Sequence, residues 1–364
     1  MTKVGIVLGW LLVNGLLFAK TGMVATGEAG KYILEARYLV DTGHIASHNF
    51  LFYSVIIVLL SACLKAHLGF GWVIALQGSL ALAATLSFHK TLETLLRSPA
   101  VALVATALLL LNLPYQAFNC FLQTESLFQS VSLLLICNLL RQKSYSNKFL
   151  LILIATLILL SLIRPTGLLY WPIAGIYLGA QALKNRPAKT KLLVATLALL
   201  GALFVINFAM NTGGEFDFTL PFREEHIICG APTLLNPRSI PTTGSGNSLF
   251  ALFYYVVHDF GNFIRLAGLK TLSFWAIYRN YYSTGHNLYL AALFYPIIIG
   301  ALLSFPAWKR NGRLLQFIYL ITPVAMTWLT VVLTCDDWSN RFFLSISPFL
   351  LLLAAATTAR NIDS

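Results

Sequence analysis

Charge is what this sequence is short of. Of 364 residues only 10% are charged, and 13 acids face 25 lysines and arginines. A soluble domain carries roughly 25% charged residues, so a chain this poor in them does not keep a large surface in water. Strand-like alternation is missing too. The apolar stretches are continuous and rich in Leu and Ala, which speaks against a closed barrel and for helices, the other fold that satisfies its backbone in lipid. No GxGxxG or GxxxxGK[ST] run is evident, so no nucleotide-binding loop is expected. The five cysteines follow no metal or haem spacing. No internal repeat of the kind transporters carry is visible.

What is present is long apolar sequence. Hydrophobic residues make up 58% of the chain and the mean hydropathy is +0.76. Eleven apolar segments stand out: 4–19, 50–66, 71–88, 100–114, 126–140, 149–163, 166–182, 192–210, 287–305, 314–333 and 342–358. The spacing predicts an all-α, polytopic membrane helix bundle of about ten crossings, one transmembrane domain over residues 1–364. The segment 4–19 lacks a small-x-small cleavage site and reads as a retained helix rather than a signal peptide.

The net charge of +12 would suggest nucleic acid in a soluble protein. Here the basic residues cluster in three short breaks, Arg141 to Lys148, Lys184 to Lys191 and Lys309 to Arg313. That is the pattern of cytoplasmic loops, and no nucleic-acid partner is expected. The same breaks put three external elements on the other side: 20–49, 211–286 and 334–341. Counting crossings leaves one of 50–66, 71–88 or 100–114 that does not span, and parity alone does not choose. Within the external parts, 28–41 places Ala29, Ile33, Ala36 and Val40 on one helical face, with Lys31 and Glu35 paired on the other. Residues 249–282 mix aromatic rings with charges, as an interfacial helix does. Cys229 and Cys335 fall in external loops, where an oxidising compartment permits a disulfide.

Ionisable residues beside the apolar phase are costly and are functional candidates by default. Several carry a family pattern. Gly27-Glu28-Ala29-Gly30-Lys31-Tyr32, with Ala36 following, resembles the first external loop of the GT-C glycosyltransferases, in which an acid stands four before a Tyr and eight before an Ala. His48-Asn49-Phe50-Leu51-Phe52-Tyr53 resembles that family's HPPLYP entry to the second helix, and Gln123-Thr124-Glu125 its second acidic position. Arg164-Pro165-Thr166-Gly167 resembles a recurring break between paired helices, and Arg341-Phe342-Phe343 with Pro348 the opening of the last helix. Order and spacing hold from about residue 20 to 355. Glu28 stands where the family usually has Asp, and Asn49-Phe50 replaces its proline pair, as in a remote branch.

The resemblance implies a GT-C-like bundle with extracytoplasmic interfacial helices, in a bacterial inner membrane. It also implies transfer of a sugar from a polyprenyl-phosphate donor, with inversion, to a glycan, lipid or protein acceptor, as in protein mannosyltransferases and aminoarabinose transferases. Glu28 would be the catalytic base or orient the acceptor. Tyr32, His48, Glu125, Arg164, Lys270 and Arg341 would bind substrate, the two arginines at the donor phosphate. No cofactor and no metal ligand set is implied. Plainer roles exist for each: a helix-start acid for Glu28, a solvated loop acid for Glu125, headgroup anchors for Arg164, Lys270 and Arg341, a helix-start residue for His48. Asp336-Asp337 would suit a divalent cation but reads first as a solvated pair. Two other functions compete, a transporter or flippase of lipid-linked glycans and a non-catalytic membrane assembly protein.

Overall fold

Helices start and stop where the sequence punctuates them. A computed structural model describes residues 3–142, 146–183, 218–231, 233 and 249–357, with scattered positions between 187 and 207. The expected crossing 192–210 and the loop 211–248 therefore lie largely outside the described residues. Among the described residues the chain is helical, with isolated β-bridges and no strand. In order the helices are α1 (Lys3–Thr21), α2 (Glu28–Thr42), α3 (Ser54–Lys65), α4 (Gly71–Leu96), α5 (Pro99–Leu111), α6 (Leu113–Ala117), α7 (Thr124–Arg141) and α8 (Asn147–Ile163). They continue as α9 (Tyr170–Ala182), α10 (Leu220–Arg223), α11 (Leu249–His258), α12 (Phe260–Ala276), α13 (Thr284–Leu303), α14 (Phe305–Arg310), α15 (Leu314–Leu333) and α16 (Arg341–Ala355).

Five helical runs are long and apolar enough to cross a membrane: α1, His48–Lys65, α4, α13 and α15. α5 and Leu113–Cys120 together make a sixth, bent by 58° at the break. Several long apolar helices fit a multi-pass membrane protein. The chain forms two compact units, one of Met1–Trp171, Ala292–Pro323 and Leu344–Ser364, the other of Pro172–Ala291 and Val324–Phe343.

Local chemistry accounts for the breaks. Ser98 accepts a hydrogen bond from Val101 N and Pro99 follows it, so α5 begins there. Asn112 repeats the device, accepting from Tyr115 N with Pro114 next, and the chain bends. Ser146 caps α8 through Phe149 N.

In the first unit, α4 packs along both α5 and α7, and α2 along α3. A buried polar knot holds α1 and the bend against α7. Asn119 Nδ2 donates to Asn14 Oδ1 at 2.8 Å, Ser126 Oγ to Asn119 Oδ1 at 2.6 Å, and Asn14 Nδ2 to Gln116 Oε1 at 3.3 Å. Such interhelical bonds are worth only about 0.6 kcal/mol each on average in membranes, but they fix register where apolar packing is degenerate. Gly78 lets Trp10 lie against α4, since a Cβ there would stand 3.2 Å from the indole.

α2 differs from its expected faces. Its buried side runs through Ala29, Tyr32, Glu35 and Ala36, while Val40 is 40% exposed. Lys31 does not pair with Glu35. Glu35 turns inward, where its Oε1 accepts from Ala46 N at 2.6 Å and closes the loop after the helix. Residues 249–282 are not one helix but α11 and α12, broken at Asp259.

Candidate functional site

Gly27 sets up the first acid. Its φ of +65° and ψ of −129° suit a residue without Cβ, and the turn delivers Glu28 to the first turn of α2, where the helix dipole favours an acid. Glu28 Oε1 lies 3.9 Å from Lys31 Nζ, both side chains about a third exposed. The Lys31 ammonium stands 5.2 Å from the ring centroids of both Tyr32 and Tyr53, and those rings are 5.4 Å apart. One turn beyond Glu28 on the same face, Tyr32 is buried.

A second acid comes from the start of α7. Glu125, whose plainer role was a solvated loop acid, lies in the helix's first turn and is 1% exposed. Arg164 Nη1 donates to its Oε1 at 3.0 Å. Two neighbours hold Arg164 there. Pro165 bars the helix from continuing, so Arg164 is extended, with φ −161° and ψ 146°. Gly167 N donates to Arg164 O at 2.8 Å, and Gly167 sits so tightly that a Cβ would lie 2.0 Å from Leu160 O. The Arg-Pro-Thr-Gly break is thus a device for presenting one guanidinium. A headgroup anchor would point outward, whereas this arginine is buried.

Tyr32 links the two acids. Burial raises its pKa above the usual phenol range, and the charges of Glu28, Glu125 and Tyr53 push the same way, with Arg164 opposing. Glu28 and Glu125 therefore both act on one hydroxyl that stays protonated. The first unit gathers an accessible carboxylate, a neutral O–H donor, an accessible ammonium and a buried Glu125–Arg164 pair. His48 opens the turn before α3 and is exposed.

The second unit holds the other two candidates. Arg341 Nε is 2.9 Å from Asp337 Oδ2, and its guanidinium lies 5.6 Å from the Phe342 ring. Lys270 is fully buried, its Nζ 3.5 Å from Val332 O and 4.0 Å from the Phe222 ring centroid. Desolvation pushes its pKa down to about 7. A headgroup anchor would reach water; this lysine does not.

Asp336 and Asp337 are a correction. Neither is a solvated loop acid: they are 1% and 6% exposed, each tied to an arginine. Arg279 Nη2 donates to Asp336 Oδ2 at 2.5 Å and to Asp337 O at 2.9 Å, and its Nη1 to Ser273 O at 3.0 Å. Burial raises the Asp336 pKa and Arg279 opposes it. Arg279 was not legible as important, because it belongs to no motif and its acidic partner Asp336 lies 57 positions away in the chain. The Cys229–Cys335 disulfide forms, with Cα atoms 5.1 Å apart. Among the described residues no group of three or more His, Cys, Asp or Glu is placed to hold a metal ion.

No protein-family model, curated protein or solved structure matches the chain.

Proposed function

We propose that this protein is a membrane glycosyltransferase that moves a sugar from a polyprenyl-phosphate donor to an acceptor on the extracytoplasmic face, with inversion. The observation that carries the reading is the accessible Glu28–Lys31 pair in the first turn of α2 together with the buried Glu125–Arg164 pair, the charges of both acids and of Arg164 acting on the buried Tyr32. Glu28 takes the proton of the acceptor hydroxyl as its oxygen attacks the anomeric carbon. The bond from that carbon to the phosphate oxygen breaks, and the polyprenyl phosphate leaves with the electron pair. Its charge grows in the transition state, which is where a fixed cation helps most. Glu125 holds Arg164 in place and, with it, the buried end of the site.

The proposal includes a topology of about ten crossings in which 48–65 is the segment that does not span, despite its length. Tyr53 packs on Tyr32 and Ser61 Oγ donates to Ala36 O at 3.1 Å, so α3 lies along α2. α2 carries Glu28, Lys31, Glu35, Arg37 and Asp41, too many charges for the hydrocarbon, and α3 lies outside with it. α4 then starts outside and descends beside α7. Gln77 Nε2 donates to Gln123 O at 2.9 Å near one end, and Arg141 Nη2 to Ser87 Oγ at 3.0 Å near the other. With that assignment every remaining crossing alternates correctly between the basic breaks.

The test is direct. Purified protein is incubated with a panel of polyprenyl-phosphate sugars and assayed for donor hydrolysis or transfer. Glu28→Gln keeps the shape and removes the base, so its turnover should fall about 10²-fold or more with folding intact. Turnover within a few-fold of wild type would end the assignment.

A further inference from the structure

The loop that carries the disulfide also carries a group of open aromatic rings. Trp338 is 48% and Tyr281 47% exposed, and their ring centroids are 5.5 Å apart. Tyr282 joins at 5.1 Å from Tyr281, and His286 at 4.3 Å from Tyr282. Exposed aromatic rings clustered at one place mark a binding surface more often than chance.

An aromatic belt at the membrane boundary is the first explanation to weigh. Belt tyrosines and tryptophans send their polar tips toward headgroups and water. Here the polar tips are engaged by backbone carbonyls. The Tyr281 and Tyr282 hydroxyls both donate to the Trp338 carbonyl, and Trp338 Nε1 donates to Cys229 O at 2.9 Å. With the tips engaged, what remains outward is ring face and edge.

The rings are also fixed beforehand. The Cys229–Cys335 bond ties the two loops, and Arg279 ties the tyrosine segment to Asp336. Asn287 closes that segment from behind, its Nδ2 donating to Arg279 O at 2.8 Å. Pre-ordered rings lose little freedom on binding. Polar groups fringe them: exposed His286, and Ser339, whose Oγ donates to Asp337 Oδ1 at 2.6 Å.

A surface with apolar faces at its centre and hydrogen-bonding groups at its rim matches a sugar ring. A pyranose has a face of C–H groups, which the negative face of an aromatic ring attracts, and a rim of hydroxyls that need polar partners. We propose that Trp338, Tyr281 and Tyr282 form a saccharide-stacking platform that binds a neutral glycan. The platform does not rest on the transferase reading.

The test is saturation-transfer NMR on the purified full chain, in a detergent without a sugar headgroup and with no donor present. Neutral oligosaccharides are the probes. Wild type should saturate the ring C–H protons of at least one of them. Trp338→Ala should weaken its binding about tenfold, the loss of one stacking contact, and Trp338→Phe should keep most of it. Should Trp338→Ala fail to fold, Tyr281→Leu, which leaves the disulfide loop its tryptophan, carries the same test. No bound saccharide on wild type, or equal binding by wild type and the folded variant, overturns the platform. Donor turnover on wild type is read separately: glycan binding without turnover removes the transferase reading and leaves the platform standing.

Discussion

An ammonium seated on an aromatic ring, with no carboxylate contacting it among the described residues, has given up water for little return. That is the situation of Lys270 against Phe222. Its pKa, lowered by burial from 10.5 to about 7, sets the direction of its effect on stability. Below about pH 7 folded and unfolded chains both hold the proton, and the cost of burying the charge is fully present. Between 7 and 10.5 the folded chain has released a proton that the unfolded chain keeps, so stability rises with pH. Lys270→Met should therefore melt higher than wild type at pH 7, by about 2–4 °C per kcal/mol recovered, and the gap should close toward pH 10.5. Thermal unfolding in detergent across that range checks it. A variant that melts lower at pH 7 would mean the ammonium has an anionic partner in the native protein.

At the scale of elements, the break between α8 and α9 is held by one missing methyl group. Gly167 presses its Cα against the Leu160 carbonyl, and a Cβ 2.0 Å from that oxygen cannot be accommodated by side-chain motion. Gly167→Ala should push the turn off α8 and carry Arg164 away from Glu125. Leaving one member of a buried ion pair alone costs about 3–5 kcal/mol, so the variant should melt well below wild type and lose turnover with it. Gly179→Ala, at a glycine with nothing within 4 Å of a built Cβ, serves as the control and should behave as wild type. If the two alanine variants melt alike, the break is not held by Gly167.

For the molecule as a whole, sidedness is the quantity on which the site depends. With Cys63, Cys120 and Cys137 replaced and the disulfide kept, single cysteines at Gly30, Leu68, Gln123 and Ser339 should all react with an impermeant thiol reagent in intact cells. A cysteine at Asn311 should react only after the membrane is opened. Leu68 is the informative position. It follows α3, and labelling from outside requires that 48–65 fold back along α2; protection at Leu68 would make that segment a crossing and break the alternation of every helix after it.

Hydropathy adds up along the chain, so the sequence alone determined the helical membrane character and most helix boundaries among the described residues. The expectation that Cys229 and Cys335 could pair came from the same sums, and the bond between them is found. Glu28, Tyr32, Glu125 and Arg164 were legible as candidates because their motifs are local. Which partners they meet was not. That Glu125 is buried against Arg164 and Asp336 against Arg279 are facts about residues distant in the chain. Only the tertiary structure decided them, because an ion pair or a burial is set by which helices pack together, and one helix's composition does not encode its neighbour. Hydropathy did not show either that 48–65, apolar enough to span, packs along the charged α2.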